Sequence, residues 1–335
     1  MFCHGYWHGL CLCAIKPGSL LPQRLMKALL TFVFVALVAS LGAAVAAAQP
    51  ARSDDAAPTL LRDGSKLRLS SASVLVFDAN SGRPIYAKSA DSLTPIASVT
   101  KLMTAMVVLD GGQNLDEAIE VGMGDLDMLK GSHSRLRLGT ELSRRDMLRI
   151  ALMASENRAA SSLARHYPGG SEAFVRAMNE KAQSLGMSNT RFADPTGLSS
   201  ENVSTANDVA RMVQAAATYT LIREFTTTPS HYVELQPTGQ LLGFNNTNAL
   251  VKSSAWDIQV SKTGFIREAG KCLVMLATIA SRPVIIVLLD SFGRLTRIGD
   301  ANRVKQWLET GEESPQTADT QPKAKRVKAA TRGRG

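Results

Sequence analysis

The sequence predicts an α+β fold, an antiparallel sheet flanked by helices with a mostly helical subdomain. Three observations predict it. Strand-like residues form a hairpin at the start, helix-periodic segments with capping signals fill the middle, and after residue 256 the period changes to that of strands before a closing helix. Residues 73–78 read as the first strand. Asp78-Ala79-Asn80-Ser81-Gly82 is turn chemistry, and residues 84–87 return as the hairpin partner. Thr94-Pro95 has the form of an N-cap with proline at the first helical position, and residues 102–109 continue as a buried helix. Ser143-Arg144-Arg145-Asp146 is a capping box, followed by Met147, Leu148, Ile150, Ala151 and Leu152 at helical spacing. A second helix is expected over 158–166, closed by Pro168-Gly169-Gly170, and a third over 172–185, stopped at Gly186. Thr205-Ala206-Asn207-Asp208 opens a helix to about residue 217. Strands follow over 256–260, 272–279 and 284–290, separated by Gly264, Gly270 and Ser281-Arg282-Pro283, with a last helix over 300–308. No internal repeat is visible.

With 335 residues, 45% hydrophobic and 20% charged, the chain has ordinary globular composition. Its net charge of +9 sits at the two ends. Residues 1–48 hold Lys16, Arg24 and Lys27 and no acid; residues 323–335 hold six bases and no acid. The remaining 29 bases balance 29 acids, so the body is not a basic nucleic-acid binder, and no nucleic-acid partner is expected. Residues 28–48 are almost wholly apolar, follow Lys27 and end in Ala46-Ala47-Ala48. That pattern predicts a signal peptide over 1–48 and an exported protein, with a retained membrane anchor as the rival. Met26-Lys27 is a normal signal start, so residues 1–25 read as an overlong start. Residues 49–69 read as a linker, 70–311 as the folded domain and 312–335 as a disordered basic tail suited to weak contact with membrane or wall polymer. Four cysteines cannot staple a chain of this size; Cys272, in an apolar run, is expected to be a small buried hydrophobe.

Three motifs carry chemistry. Ser98 and Lys101, three apart, share a helix face near its N-terminus, where the peptide dipole favours a developing alkoxide. The lysine can take the serine proton only when neutral, which burial and a second cation both promote. This S-x-x-K pair is the only one in the chain. Ser155-Glu156-Asn157 follows at a helix junction, where the serine can relay a proton and the asparagine can orient a peptide. The same tripeptide recurs at Ser200-Glu201-Asn202, in a polar loop with no apolar helix leading in, and Ser155 is preferred on that context. Lys262-Thr263-Gly264 follows a strand, so that a lysine and a hydroxyl stand at a sheet rim while the glycine clears the edge for an extended peptide. Lys262 is also the expected second cation beside Lys101.

The set resembles the penicillin-binding protein and serine β-lactamase superfamily, with its S-x-x-K, S-x-N and K-T-G signatures. Residues 92–105, Ser155-Glu156-Asn157-Arg158-Ala159-Ala160, Pro195-Thr196-Gly197-Leu198 and Trp256-Asp257-Ile258 look like the low-molecular-mass D-alanyl-D-alanine peptidases, most of all the endopeptidases of the penicillin-binding protein 7 type. The likeness spans about residues 70–310 and implies a DD-peptidase fold over 70–311. It further implies a periplasmic serine enzyme that cuts D-Ala cross-links of peptidoglycan stem peptides and is covalently inhibited by β-lactams. Carried over by motif, Ser98 is the nucleophile, Lys101 the base and Ser155 the relay. Asn157, Lys262, Thr263 and Gly264 bind substrate, Phe265 contributes a backbone N–H to the oxyanion hole with Ser98, and Arg297 helps hold the substrate carboxylate. Glu156 stands where Asp is frequent. A D-alanyl-D-alanine carboxypeptidase is the nearer alternative and a non-catalytic wall-binding or sensing module the more distant one. No metal or organic cofactor is expected. Outside the leader the histidines are His133, His166 and His231, with neither a G-x-S-x-G elbow nor an H-E-x-x-H motif.

Overall fold

The computed structural model describes residues 62–293 and 295–312. The chain divides at Ala56/Ala57, and all described residues belong to the second unit. The predicted leader, its start site and the tail beyond Glu312 lie outside them.

The first hairpin forms as the sequence predicts, with β1 (Ser71–Asp78) and β2 (Arg83–Lys88) around the turn that the Asp78 carboxylate closes by accepting from Asn80 and Ser81 N–H. Late in the chain β9 (Asp257–Ile266), β10 (Gly270–Ile279) and β11 (Arg282–Ser291) form a meander. The five make one sheet in the order β2-β1-β11-β10-β9, every pair antiparallel, with β9 at an edge. Both faces are covered. Leu75, Val260, Val274, Ile285 and Val287 face a helical subdomain; Val74, Val76, Met275, Ile286 and Leu288 face Trp307 and Leu308 of the closing helix α7 (Thr296–Thr310). Two-sided burial is why β10 and β11 read as apolar runs rather than alternating ones.

The helical subdomain comprises α1 (Lys101–Asp110), α2 (Arg144–Met153), α3 (Asn157–Arg165), α4 (Gly170–Ser184), α5 (Ala206–Ala216) and α6 (Thr220–Thr227). Ser143 and Thr205 cap α2 and α5 by accepting from the N–H of Asp146 and Asp208, as their sequence signatures require. α1 is the central helix, buried from Lys101 to Val108.

Several expectations are corrected. Thr94-Pro95 does not start a helix. It forms a two-residue strand, β3 (Thr94–Pro95), paired with β6 (Val203–Ser204), and the Ile96 N–H extends that contact to the Asn202 carbonyl. The helix begins only after a 3-10 turn over Ala97–Thr100. β9 does not stop at Val260 but runs through Lys262-Thr263-Gly264 to Ile266. Residues 62–69, inside the stretch read as linker, are folded: Leu67 and Leu69 are buried, Arg62 donates to the Leu308 carbonyl and Trp307 Nε1 donates to the Asp63 carbonyl. Short strands pair as β4 (Ala118–Glu120) with β5 (Glu141–Ser143), and β7 (Ser230–Leu235) with β8 (Gln240–Asn245). Cys272 is fully buried, and burial pushes its thiol up to about 11, so it behaves as the expected hydrophobe.

Candidate active site

The site forms where the N-terminal end of α1 meets the free edge strand β9 and the α2–α3 junction. Ser98 lies in the 3-10 turn that runs into α1, so Ser98 and Lys101 stand on one face, with Lys101 Nζ 3.0 Å from Ser98 Oγ. The turn is set by close backbone packing. Ala97 has φ +47, a conformation costly for a side chain. A Cβ on Gly197 would lie 2.0 Å from the Ala97 carbonyl oxygen and 2.8 Å from Ser98 N; one on Gly264 would lie 2.9 Å from the Ile96 oxygen and 3.2 Å from Ser98 N. Gly264 is therefore needed for contact with the serine turn. This is a second demand on the glycine, beside the clearance of the sheet edge expected from the sequence.

Lys101 is buried, and its amine is also 2.7 Å from Asn157 Oδ1 and 2.6 Å from the Thr196 carbonyl oxygen. Burial pulls its pKa down to about 8, partly offset by Asp194 and Glu156. The expectation that Lys262 is the cation depressing Lys101 is corrected in emphasis: burial leads, and the mutual repulsion is felt at Lys262. Burial, then Lys101, then Arg297 hold the Lys262 ammonium well below the usual lysine range.

The α2–α3 junction holds Ser155 at φ +60, again a strained conformation. It presents the hydroxyl to Lys262, whose Nζ is 2.9 Å away and also donates to the Thr263 carbonyl. Along β9, Lys262 and Gly264 share the face of Val260 and Ile266 that is turned to the helical subdomain. Thr263 donates to Thr247 Oγ1 at 2.7 Å, and Arg297 on α7 donates to the Gly264 carbonyl at 3.0 Å. Phe265 is exposed on the opposite face with the Lys271 ammonium over its ring. All three motifs thus meet in one groove. The second tripeptide does not. Asn202 is fully buried, accepting from the N–H groups of Ala193 and Asp194 and donating to Thr100 Oγ1, while Glu201 pairs with Arg191 at the surface.

A family model described as D-alanyl-D-alanine carboxypeptidase matches residues 62–293. The chain belongs to the D-alanyl-D-alanine carboxypeptidase family. As a family member it is a serine-type D-Ala-D-Ala peptidase, a hydrolase. It is 52% identical over 244 residues to the D-alanyl-D-alanine endopeptidase of Pseudomonas aeruginosa, covering 73% of this chain and 79% of the relative. It is 49% identical over 251 residues to that of Escherichia coli, covering 75% and 81%. Among solved structures, the Streptomyces K15 DD-transpeptidase superposes with a TM-score of 0.67 at 28% identity, covering 72% of this chain and 97% of that one. Penicillin-binding protein D2 from Listeria monocytogenes in its ampicillin-bound form superposes at 0.63 and 29% identity, covering 72% and 98%.

Sequence reasoning missed three members of this peptidase's groove. The Thr196 carbonyl is aimed by the Asp194 carboxylate, which accepts from the N–H groups of Thr196, Gly197 and Ser199; the Asp-Pro-Thr-Gly run was the available signal. Thr247 and Ser132 lie in loops of no marked pattern and carried no signal. Among the described residues no cluster of His, Cys, Asp or Glu could hold a metal ion, and no helix is long and apolar enough to cross a membrane.

Proposed function

We propose that the protein is a peptidoglycan D,D-endopeptidase that opens D-Ala-containing cross-links through an acyl-enzyme on Ser98, and that penicillins acylate the same serine. The observation that carries this reading is the surroundings of Lys101. A neutral amine has two N–H groups and one lone pair. The Thr196 carbonyl and Asn157 Oδ1 take both N–H groups, which leaves the lone pair for the Ser98 hydroxyl. With a pKa of about 8, emptying that lone pair at pH 7 costs about 1.4 kcal/mol, far less than for an ordinary lysine.

The steps follow from this geometry. The Ser98 proton passes to Lys101 as Oγ bonds to the carbonyl carbon of the D-Ala peptide bond. The oxyanion is held by the backbone N–H groups of Ser98 and Phe265. The C–N bond breaks as the departing amine takes a proton relayed through Ser155, which contacts Lys262. Lys101, having passed its proton through Ser155 to that amine, again accepts a proton as water attacks the acyl-enzyme; the acyl carbon–Oγ bond then breaks and the proton returns to Ser98. Lys262, Thr263 and Arg297 bind the carboxylate beyond the scissile bond. That anion also favours the proton on Lys262 over Lys101, because two buried ammonium groups cannot both stay charged cheaply. Asn157 orients the substrate amide.

The endopeptidase reading over a carboxypeptidase one is supported by the names of the relatives at 52% and 49% identity; the relatives from Bacillus subtilis and Streptomyces at 31% are named carboxypeptidases. Digestion of purified cross-linked and uncross-linked muropeptides tests it. Cleavage of dimers to monomers is expected, and loss of terminal D-Ala without dimer cleavage would assign a carboxypeptidase instead. The leader pattern over 1–48 supports export to the periplasm, with the basic tail in weak contact with membrane or wall polymer. Mass spectrometry of the mature N-terminus checks the export signal: a start at or near Gln49 is expected, and an intact leader would mean anchoring.

A further inference from the structure

One segment reaches the site without belonging to any of the three motifs. Residues 122–137 arch over the end of α3 toward β9 and are fastened at three points. The buried Asp125 carboxylate accepts from Gly122 N at 2.8 Å, Ser161 Oγ at 2.9 Å, Ser162 Oγ at 2.7 Å and Arg165 Nη2 at 2.9 Å, tying the start of the arch to α3. Lys130 pairs with Glu268 of the β9–β10 turn at 2.6 Å, tying the crown to the sheet. Between them the Asp127 carboxylate accepts from the N–H groups of Leu129, Lys130 and Ser132; burial raises its pKa, but these bonds and the attraction of the Ser132 hydroxyl hold it down at about 2. Ser132 Oγ in turn lies 3.1 Å from Asn157 Nδ2.

The direction of these bonds follows from what surrounds them. The ionised Asp127 carboxylate, which holds the Ser132 N–H, also draws the Ser132 hydroxyl proton. The Ser132 oxygen faces Asn157 as acceptor, at 3.1 Å from the Nδ2 end of the amide. That turns Oδ1 to Lys101, where it takes one amine N–H. We propose that Ser132 is a positioning residue that sets the orientation of the Asn157 amide and through it aims the Lys101 lone pair at Ser98. The inference rests on the Ser98–Lys101 acylation step of the function proposed above. It does not depend on which cross-link or terminal residue the enzyme cuts.

Removing the Ser132 hydroxyl frees the amide to turn over. The reversed amide offers N–H to Lys101. It then competes with the Ser98 hydroxyl for the lone pair, and it no longer supplies an acceptor to the ammonium. Acylation should therefore slow although the base loses its proton more readily. The other charged groups around Lys101 stay in place: Glu156 from the α2–α3 junction, Asp194 from the loop ahead of Val203, Lys262 from β9 and Arg297 behind it.

The test is the second-order rate of labelling by a fluorescent penicillin, followed on both sides of pH 8. For Ser132→Ala the plateau is expected to fall about tenfold, the worth of one hydrogen bond, with the acid limb displaced to lower pH. Ser132→Thr, which keeps the hydroxyl, should restore both. Lys130→Ala loosens the same arch without touching the bonded chain and serves as control. An unchanged plateau in Ser132→Ala would overturn the proposal. So would an acid limb displaced upward, the sign of a loosened arch that hydrates Lys101, or a Lys130→Ala profile matching that of Ser132→Ala. Because the readout is penicillin acylation, a failure to cleave muropeptide dimers would sink the endopeptidase assignment and leave this one standing.

Discussion

Replacing Gly197 by alanine should cripple the enzyme although the residue carries no functional group. Its φ is +81, and the added methyl would sit 2.0 Å from the Ala97 oxygen, 2.3 Å from the Ala97 carbonyl carbon and 2.8 Å from Ser98 N. Real contacts of this kind stay beyond 3.0 Å, so backbone must move by about 1 Å. Two costs add: about 1–2 kcal/mol for a left-handed alanine and about 1–3 kcal/mol for overpacking a rigid contact. The protein should lose about 2–5 kcal/mol of stability, and whatever folds should carry a displaced Ser98; a misplacement of that order costs about a hundredfold in rate. The matched control is Gly186→Ala, where φ is +68 and no atom lies within 4 Å of the added methyl, so only the backbone cost applies. Urea unfolding gives the stability difference between the two variants, and fluorescent-penicillin labelling of the folded fraction gives the rate. If Gly197→Ala lost no more stability than Gly186→Ala and labelled like wild type, the packing account of the serine turn would be wrong.

Other outcomes follow from the same geometry. Gly264→Ala meets the same turn less closely, at 2.9–3.2 Å, so its losses in stability and labelling should fall between those of the two variants above. Ser155→Ala should lose turnover while Ser200→Ala keeps it, as read by muropeptide digestion, because only Ser155 contacts Lys262. Labelling should rise with pH through about 8 as Lys101 deprotonates, and Ser98→Ala should not label at all. Lys101 is depressed in the fold relative to 10.5 unfolded, so the unfolded chain binds more protons between the two values and stability rises with pH across that window. Lys101→Met should thus be inactive yet more stable at pH 7, by up to about 3 kcal/mol, with the gain shrinking from about pH 8 to 10.5 in urea titrations.

The fold was legible where one residue type settles a local choice. Asp78 to Gly82 spelled the first turn, Ser143 and Thr205 spelled helix starts, and the apolar runs of β10 and β11 spelled buried strands. It was illegible where tertiary contact overrides local preference. Thr94-Pro95 has the residues of a helix start, but pairing with Val203–Ser204 holds it extended. Lys262-Thr263-Gly264 looked like a strand end because a lysine and a glycine seldom sit mid-strand; the lysine is stabilised there by the Ser155 hydroxyl and the glycine by the Ser98 turn. In the site, side chains at motif spacing could be named in advance. A backbone carbonyl such as that of Thr196 shows in the sequence only as the turn chemistry of Asp194 to Gly197, and a hydroxyl such as Ser132, delivered by a long loop, leaves no mark at all.

The two-residue pairing of Thr94–Pro95 with Val203–Ser204 has a temporal consequence. It and Gly197 brace the reactive turn from a part of the chain about a hundred residues downstream, and Gly264 braces it from further still. A nascent or proteolytically clipped polypeptide lacking those partners possesses its serine and lysine but has nothing to press them together. On the proposed acyl-enzyme reading, reactivity of Ser98 is expected only after synthesis has passed the K-T-G strand. A fluorescent penicillin is accordingly expected to count only molecules in which that strand is in place.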